Sequence, residues 1–168
     1  MSGMLASVCS LEEAQMVEDA GVDIIDLKNP DEGALGRLDF PLIEEIVTQL
    51  HGSTPISATI GDLPFAAQLV EPLIRRMAQT GVNIIKVGVF GKIDTLPELR
   101  MLSTLCEEGM RIVLVIFAEL YEPGCNLKIL ANTGITGMML DTMDKSSGSL
   151  RDKLEDHSSR AFIARTQD

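Results

Sequence analysis

Short apolar runs alternate with longer amphipathic stretches along this chain. The runs are Met4–Val8, Ile24–Leu27, Ile56–Thr59, Ile84–Val87, Arg111–Phe117 and Gly137–Leu140. Their hydrophobicity is continuous rather than alternating, which is what strands need when both faces are covered, as in a parallel sheet. The stretches between them predict helices over Leu11–Ala20, Phe40–Leu50, Phe65–Thr80, Thr95–Glu108 and Asn126–Asn132. Ser10 followed by Glu13 fits a capping box ahead of the first helix. Gly21, Gly81, Gly109 and Gly134 fall where helices should stop and supply the left-handed residue such ends favour.

An internal repeat sharpens the pattern. Gly21-Val22-Asp23-Ile24-Ile25-Asp26 recurs as Gly81-Val82-Asn83-Ile84-Ile85-Lys86, with a looser echo from Gly134 to Asp141. Each copy is a helix stop, a tight turn and a strand ending on a charged residue. Repeated βα units of this kind point to an α/β fold, either a doubly wound sheet or a (β/α)8 (TIM) barrel. Strand starts about 27 residues apart would need roughly 215 residues for eight units. The chain has 168. It therefore holds about six βα units, and the sequence reads as a barrel whose last two are missing.

Composition narrows the function. The formal charge is −11, from 25 acidic and 14 basic side chains. Nucleic-acid backbones are bound by neutralising phosphates with Lys and Arg, so no nucleic-acid partner is expected. With no Trp and one Tyr, no aromatic platform for stacked bases is expected either. No apolar run approaches the roughly 18 residues of a membrane span, and the start lacks a signal-peptide pattern. Cys9, Cys106 and Cys125 share no metal-ligand spacing and read as reduced thiols of a cytoplasmic protein.

The chemistry-bearing residues stand at strand ends. Asp26 and Lys28 close the second run, Lys86 the fourth and Asp141 the sixth. Residues at i and i+2 of a strand share a face, and alternate barrel strands fill the same interior layer. All four groups are thus expected to converge in one layer at the C-terminal end of the strands, where barrel enzymes work. Burial and a neighbouring cation both disfavour a lysine's ammonium form, leaving an amine able to attack a carbonyl and form a Schiff base. Asp26 and Asp141 would then relay protons. Any one of these lysines alone reads better as a side chain reaching solvent to pair with an acid, and it is the convergence of four groups that favours function. After the second and fourth strands come Gly33, Gly36 and Gly88, whose backbone amides suit a phosphorylated ligand. Thr59 lines the same rim. Asp62 reads as the N-cap of the following helix. Met138, Met139 and Met143 read as core filler. His51 and His157 belong to no catalytic constellation.

At Ile24-Ile25-Asp26-Leu27-Lys28-Asn29-Pro30 a known pattern begins. Gly33-Ala34-Leu35-Gly36, Ser57-Ala58-Thr59-Ile60-Gly61-Asp62, Ile85-Lys86-Val87-Gly88 and Met139-Leu140-Asp141-Thr142 continue it in order. From about Met4 to His157 the chain resembles the (5-formylfuran-3-yl)methyl phosphate synthase family, also called 4-(hydroxymethyl)-2-furancarboxaldehyde-phosphate synthases. The resemblance implies a (β/α)8 barrel and a lyase that condenses two glyceraldehyde 3-phosphate molecules into a furan aldehyde phosphate, the furan source of methanofuran. It implies Lys28 as the Schiff-base residue, with Lys86, Asp26, Asp141 and Lys145 as the remaining catalytic groups and no metal or cofactor. The stretch Leu120–Asn132 is short for the family's fifth helix. Residues 1–157 are expected to form the incomplete barrel domain and 158–168 a tail outside the resemblance. A missing barrel edge leads us to expect a homo-oligomer. Two other readings stay open, another phosphosugar aldolase or isomerase of the Schiff-base class, and an inactive remnant.

Overall fold

The structure is a computed structural model that describes residues 3–50, 54–90, 96–121, 127–144, 148–154, 160 and 162. Six strands alternate with helices in the order β1 (Leu5–Val8), α1 (Leu11–Asp19), β2 (Ile24–Leu27), α2 (Phe40–Gln49), β3 (Ile56–Thr59), α3 (Ala67–Ala78), β4 (Ile84–Val89), α4 (Leu96–Glu107), β5 (Ile112–Phe117), α5 (Leu127–Ala131), β6 (Gly137–Asp141) and α6 (Leu150–Lys153). All adjacent pairs are parallel, and the strands lie side by side in chain order. A doubly wound sheet would reverse that order at a switch point. The described residues form a six-stranded parallel α/β half-barrel.

The glycines at the helix stops do what their positions suggest, with φ of 77° at Gly21, 88° at Gly81, 91° at Gly109 and 85° at Gly134. Ser10 caps α1, its Oγ accepting the Glu13 amide at 3.2 Å. The capping box is not reciprocal, because the Glu13 carboxylate takes the amide of Cys9 at 2.7 Å instead of that of Ser10. That bond holds the Glu13 carboxyl below its ordinary range, and a separate hydrogen bond from the Cys9 thiol to Glu13 pushes the thiol up.

Strand alternation sorts the core. Ile25, Leu27, Ile56, Ala58, Ile85, Val87, Ile112 and Leu114 face the helices and join Ile43, Ile46, Ile74, Met77, Leu102 and Leu105 in the main core. Their neighbours in sequence face the concave side. There Val115 and Phe117 form a second, smaller cluster with Ala34 and Leu35, with Phe90 and Met139 packed against it. Of the methionines expected in the core, Met138 and Met139 pack as filler, but Met143 is exposed. In the tail, Phe162 is buried edge-on against Tyr121, their ring centroids 5.8 Å apart. Among the described residues, no helix is long and apolar enough to cross a membrane.

Candidate active site

Asp26 is the centre of the concave face. Its carboxylate is fully buried and accepts three hydrogen bonds, from Lys86 Nζ at 2.8 Å, Ser57 Oγ at 2.6 Å and Ser7 Oγ at 3.0 Å. The sheet register explains the two hydroxyls, since Ser7 and Ser57 are the partners of Asp26 on β1 and β3. A buried carboxylate is costly unless its charge is paired and its lone pairs are filled. Here the charge is paired and each oxygen is hydrogen-bonded, and Lys86 is itself only 4% exposed. Lys28 follows β2 directly and is also buried, at 9%.

Lys86 reaches Asp26 across β3. Asp26 registers with Ser57 and Ser57 with Ile84, so Lys86 stands two residues further along β4 than strict register. That is the stagger of a sheet whose strands tilt as it closes. Val113 and Gly137 carry the register line of Lys86 into β5 and β6. The same two-residue step then makes Met139 the β6 member of the Asp26–Lys86 layer. Asp141 falls one layer higher, level with Lys28 and Gly88. The four charged strand-end groups thus share a face but occupy two layers, not the single one that strand alternation alone suggests. The Asp141 carboxylate is half-buried and accepts the amide of its neighbour Thr142 at 2.8 Å. Lys145 lies outside the described residues, as do Cys125, His51 and His157.

The loop from Asn29 to Gly36 is bound tightly to the strand ends. The Gly36 carbonyl accepts the Asn29 amide and the Thr59 hydroxyl, each at 2.9 Å. Asp62 does not cap α3, whose N-cap is Ala66 with no side-chain bond. Its carboxylate instead accepts the amides of Ala34 and Leu35, both at 2.8 Å. The first amide of α3 is taken by Glu98 of α4 at 3.1 Å. Gly33 has φ of 109°, and a Cβ there would collide with the Asp62 carboxylate. Gly88 is equally confined, because a Cβ would stand 2.8 Å from Leu35 Cδ1 and against the Phe90 ring. Two amides of this loop are therefore engaged by an internal carboxylate.

A family model described as 4-HFC-P synthase matches residues 4–168. The chain belongs to that family. Members named (5-formylfuran-3-yl)methyl phosphate synthase include those of Methanococcus aeolicus, 31% identical over 98% of this chain, and Methanopyrus kandleri, 30% identical over 95%. The chain spans 74% and 72% of those two relatives, respectively. Among solved structures, CutC of Streptococcus agalactiae superposes with a TM-score of 0.72 at 14% identity, covering 98% of this chain and 85% of that one. A 2,3-dimethylmalate lyase of the PEP mutase/isocitrate lyase superfamily gives 0.58 at 16% identity, covering 92% and 63%. At these identities the likeness shows the fold alone.

For this member of the 4-HFC-P synthase family, sequence reasoning overlooked Ser7, Ser57 and Leu35. A serine within a strand carries no signal of its own. Yet Ser57 begins one of the quoted motifs, and its parity with Asp26 is the clue that a register would have made readable.

Proposed function

We propose that this chain catalyses the synthase reaction for which its relatives are named. Two glyceraldehyde 3-phosphate molecules become 4-(hydroxymethyl)-2-furancarboxaldehyde phosphate, a methanofuran precursor, with loss of phosphate and water. The observation that carries the reading is the buried Asp26–Lys86 pair beside Lys28 on the concave face of a chain in this family. Lys28 Nζ adds to the aldehyde carbon of one triose phosphate, and water leaves to give an iminium. The iminium is an electron sink, so a proton is lost from the adjacent carbon to give an enamine. The enamine carbon bonds to the aldehyde of the second triose, and eliminations with ring closure follow. Lys86, held by Asp26, serves as the proton carrier of the lower layer, and Asp141 and Lys145 serve the upper one. Gly33, Gly36, Thr59 and Gly88 border the substrate. The chemistry proposed needs no metal or cofactor, and we expect the chain to work in the cytoplasm as a homo-oligomer.

Borohydride reduction in the presence of glyceraldehyde 3-phosphate tests the first step. Mass should be added to the peptide bearing Lys28, and not in Lys28→Ala. A furan absorbance should grow in the unreduced reaction. Labelling confined to other lysines would remove the assignment, and an aldol product without a furan chromophore would point to a different phosphosugar enzyme. A second reading, an open barrel without turnover, draws on β6, which is half-buried along its whole length where β3 and β4 are fully buried. No labelling at any lysine would favour it.

A further inference from the structure

The Asp62 carboxylate, gripping two consecutive amides, aims Leu35 into the concave face, and the geometry points to Asp62 and Leu35 as positioning residues that keep water from the Lys28 iminium. The inference rests on the proposed function, whose intermediate it protects. Three bonds fix the loop at its ends, from Asn29 and Thr59 to the Gly36 carbonyl and from Asp31 N–H to the Asn29 side chain. Asp62 fixes its tip. The outcome is a leucine on a loop that is only 1% exposed, packed among Ala34, Val115 and Phe117. It sits directly over Gly88, which the register puts in the same layer as Lys28 and Asp141. No side chain can grow from Gly88 into the space that Leu35 and Phe90 fill.

The layer holding Lys28 is thus walled by hydrocarbon on its β4–β5 side, while the layer below is polar. An iminium is lost by hydrolysis, in which water adds to the carbon, the C–N bond breaks, and Lys28 regains a free amine as the aldehyde departs. A wall without polar atoms denies that water a hydrogen-bonded position. Asp62 makes the wall rigid, because each carboxylate oxygen takes a separate amide. In Asp62→Asn one oxygen is replaced by an NH2 group, which faces an N–H and cannot accept it.

Two measurements on the full chain test this together. Hydrogen exchange at the Ala34 and Leu35 amides should be slow in the parent and about ten-fold faster in Asp62→Asn, the order set by losing one bond to an ion. Borohydride trapping at Lys28 should fall about five-fold or more in Asp62→Asn and Leu35→Ala, with half-saturation by glyceraldehyde 3-phosphate unchanged within two-fold. Leu35→Met, which keeps the volume and the apolar surface, should trap as the parent does. Equal trapping in parent and Leu35→Ala overturns the inference alone, as does equally poor trapping by Leu35→Met, or exchange that Asp62→Asn leaves unchanged. Absence of trapping at Lys28 in the parent overturns the proposed function and this inference with it, whereas slow exchange at the two amides would still report the grip. Should Asp62→Asn not fold, the two Leu35 variants decide the matter.

Discussion

The concave face has two halves of opposite character. On β1–β4 the inward residues are Ser7, Asp26, Ser57 and Lys86, tied into one hydrogen-bonded network. On β5 and β6, Val115, Phe117 and Met139 face inward alongside Asp141, filled out by Leu35 and Phe90. Both halves are buried, but different physics holds them. The polar half depends on both oxygens of Asp26 having partners, so it fails when one member is removed. The apolar half depends on volume, so it fails by degrees as atoms are taken away. A reaction that must place an amine nucleophile among ionisable groups and shed water has use for both on one surface.

The sharpest way to break the contrast is Lys86→Met. It leaves Asp26 buried with two hydroxyls but without its ion-pair partner, and should cost about 3–5 kcal/mol, read as a fall in the urea midpoint. Adding Asp26→Asn to the same chain should recover part of that loss, because the orphaned charge is gone. In the apolar half, Leu35→Ala should cost less, toward the lower part of the ~2–5 kcal/mol range, since a loop can settle into the space. No second substitution nearby should rescue it except one that restores volume. If Lys86→Met costs no more than Leu35→Ala, and Asp26→Asn adds to its loss, the polar network is not the cooperative unit described. Ser57→Ala comes next. It removes the 2.6 Å bond to Asp26 Oδ1 and should cost roughly 1.5–3 kcal/mol by the same measurement. Ser7→Ala, whose bond is longer and only partly buried, should cost less.

Much of this was legible in the chain. All six strands stand where the continuous apolar runs lie, and each start agrees to within a residue of the run that announces it. The glycine stops were readable because a left-handed helix end has a simple chemical preference. Asp26 and Lys86 stood out because charges closing several apolar strands are expected to converge on one face. The failures are equally physical. An aspartate shortly before a helix looks like a cap, and nothing local reveals that Asp62 binds amides 27 and 28 residues earlier. Nothing local singles out Leu35 between its loop glycines, because it is buried by a contact with β5 that no window of sequence contains. The two-layer division needs the stagger between strands, which is a property of the closed sheet and not of any strand.

The outer helices supply the control for the polar half, and the effect expected there is the smallest. Arg75 of α3 pairs with Glu108 just beyond α4 and with Glu71 on its own helix, all at the solvent surface. The guanidinium holds the Glu108 carboxyl below its ordinary value of about 4.5, and the pairing in turn raises Arg75. A carboxyl lowered on folding stabilises the folded state at pH above its unfolded value. That contribution fades as pH falls through the folded value, when the native carboxylate finally takes a proton. Between pH 7 and the mid-fours the pair should contribute steadily, and below that range it should vanish. Exposure and salt keep its contribution slight. Arg75→Gln should therefore lower the urea midpoint slightly at pH 7 and flatten its acid-side decline, and added salt should erase the difference at pH 7. Lys86→Met should be insensitive to salt, because the charge it strands is out of reach of counter-ions. If salt restored Lys86→Met toward the parent as readily as it levels Arg75→Gln, Asp26 would have to be reached by solvent, and the distinction between the buried network and a surface pair would fall.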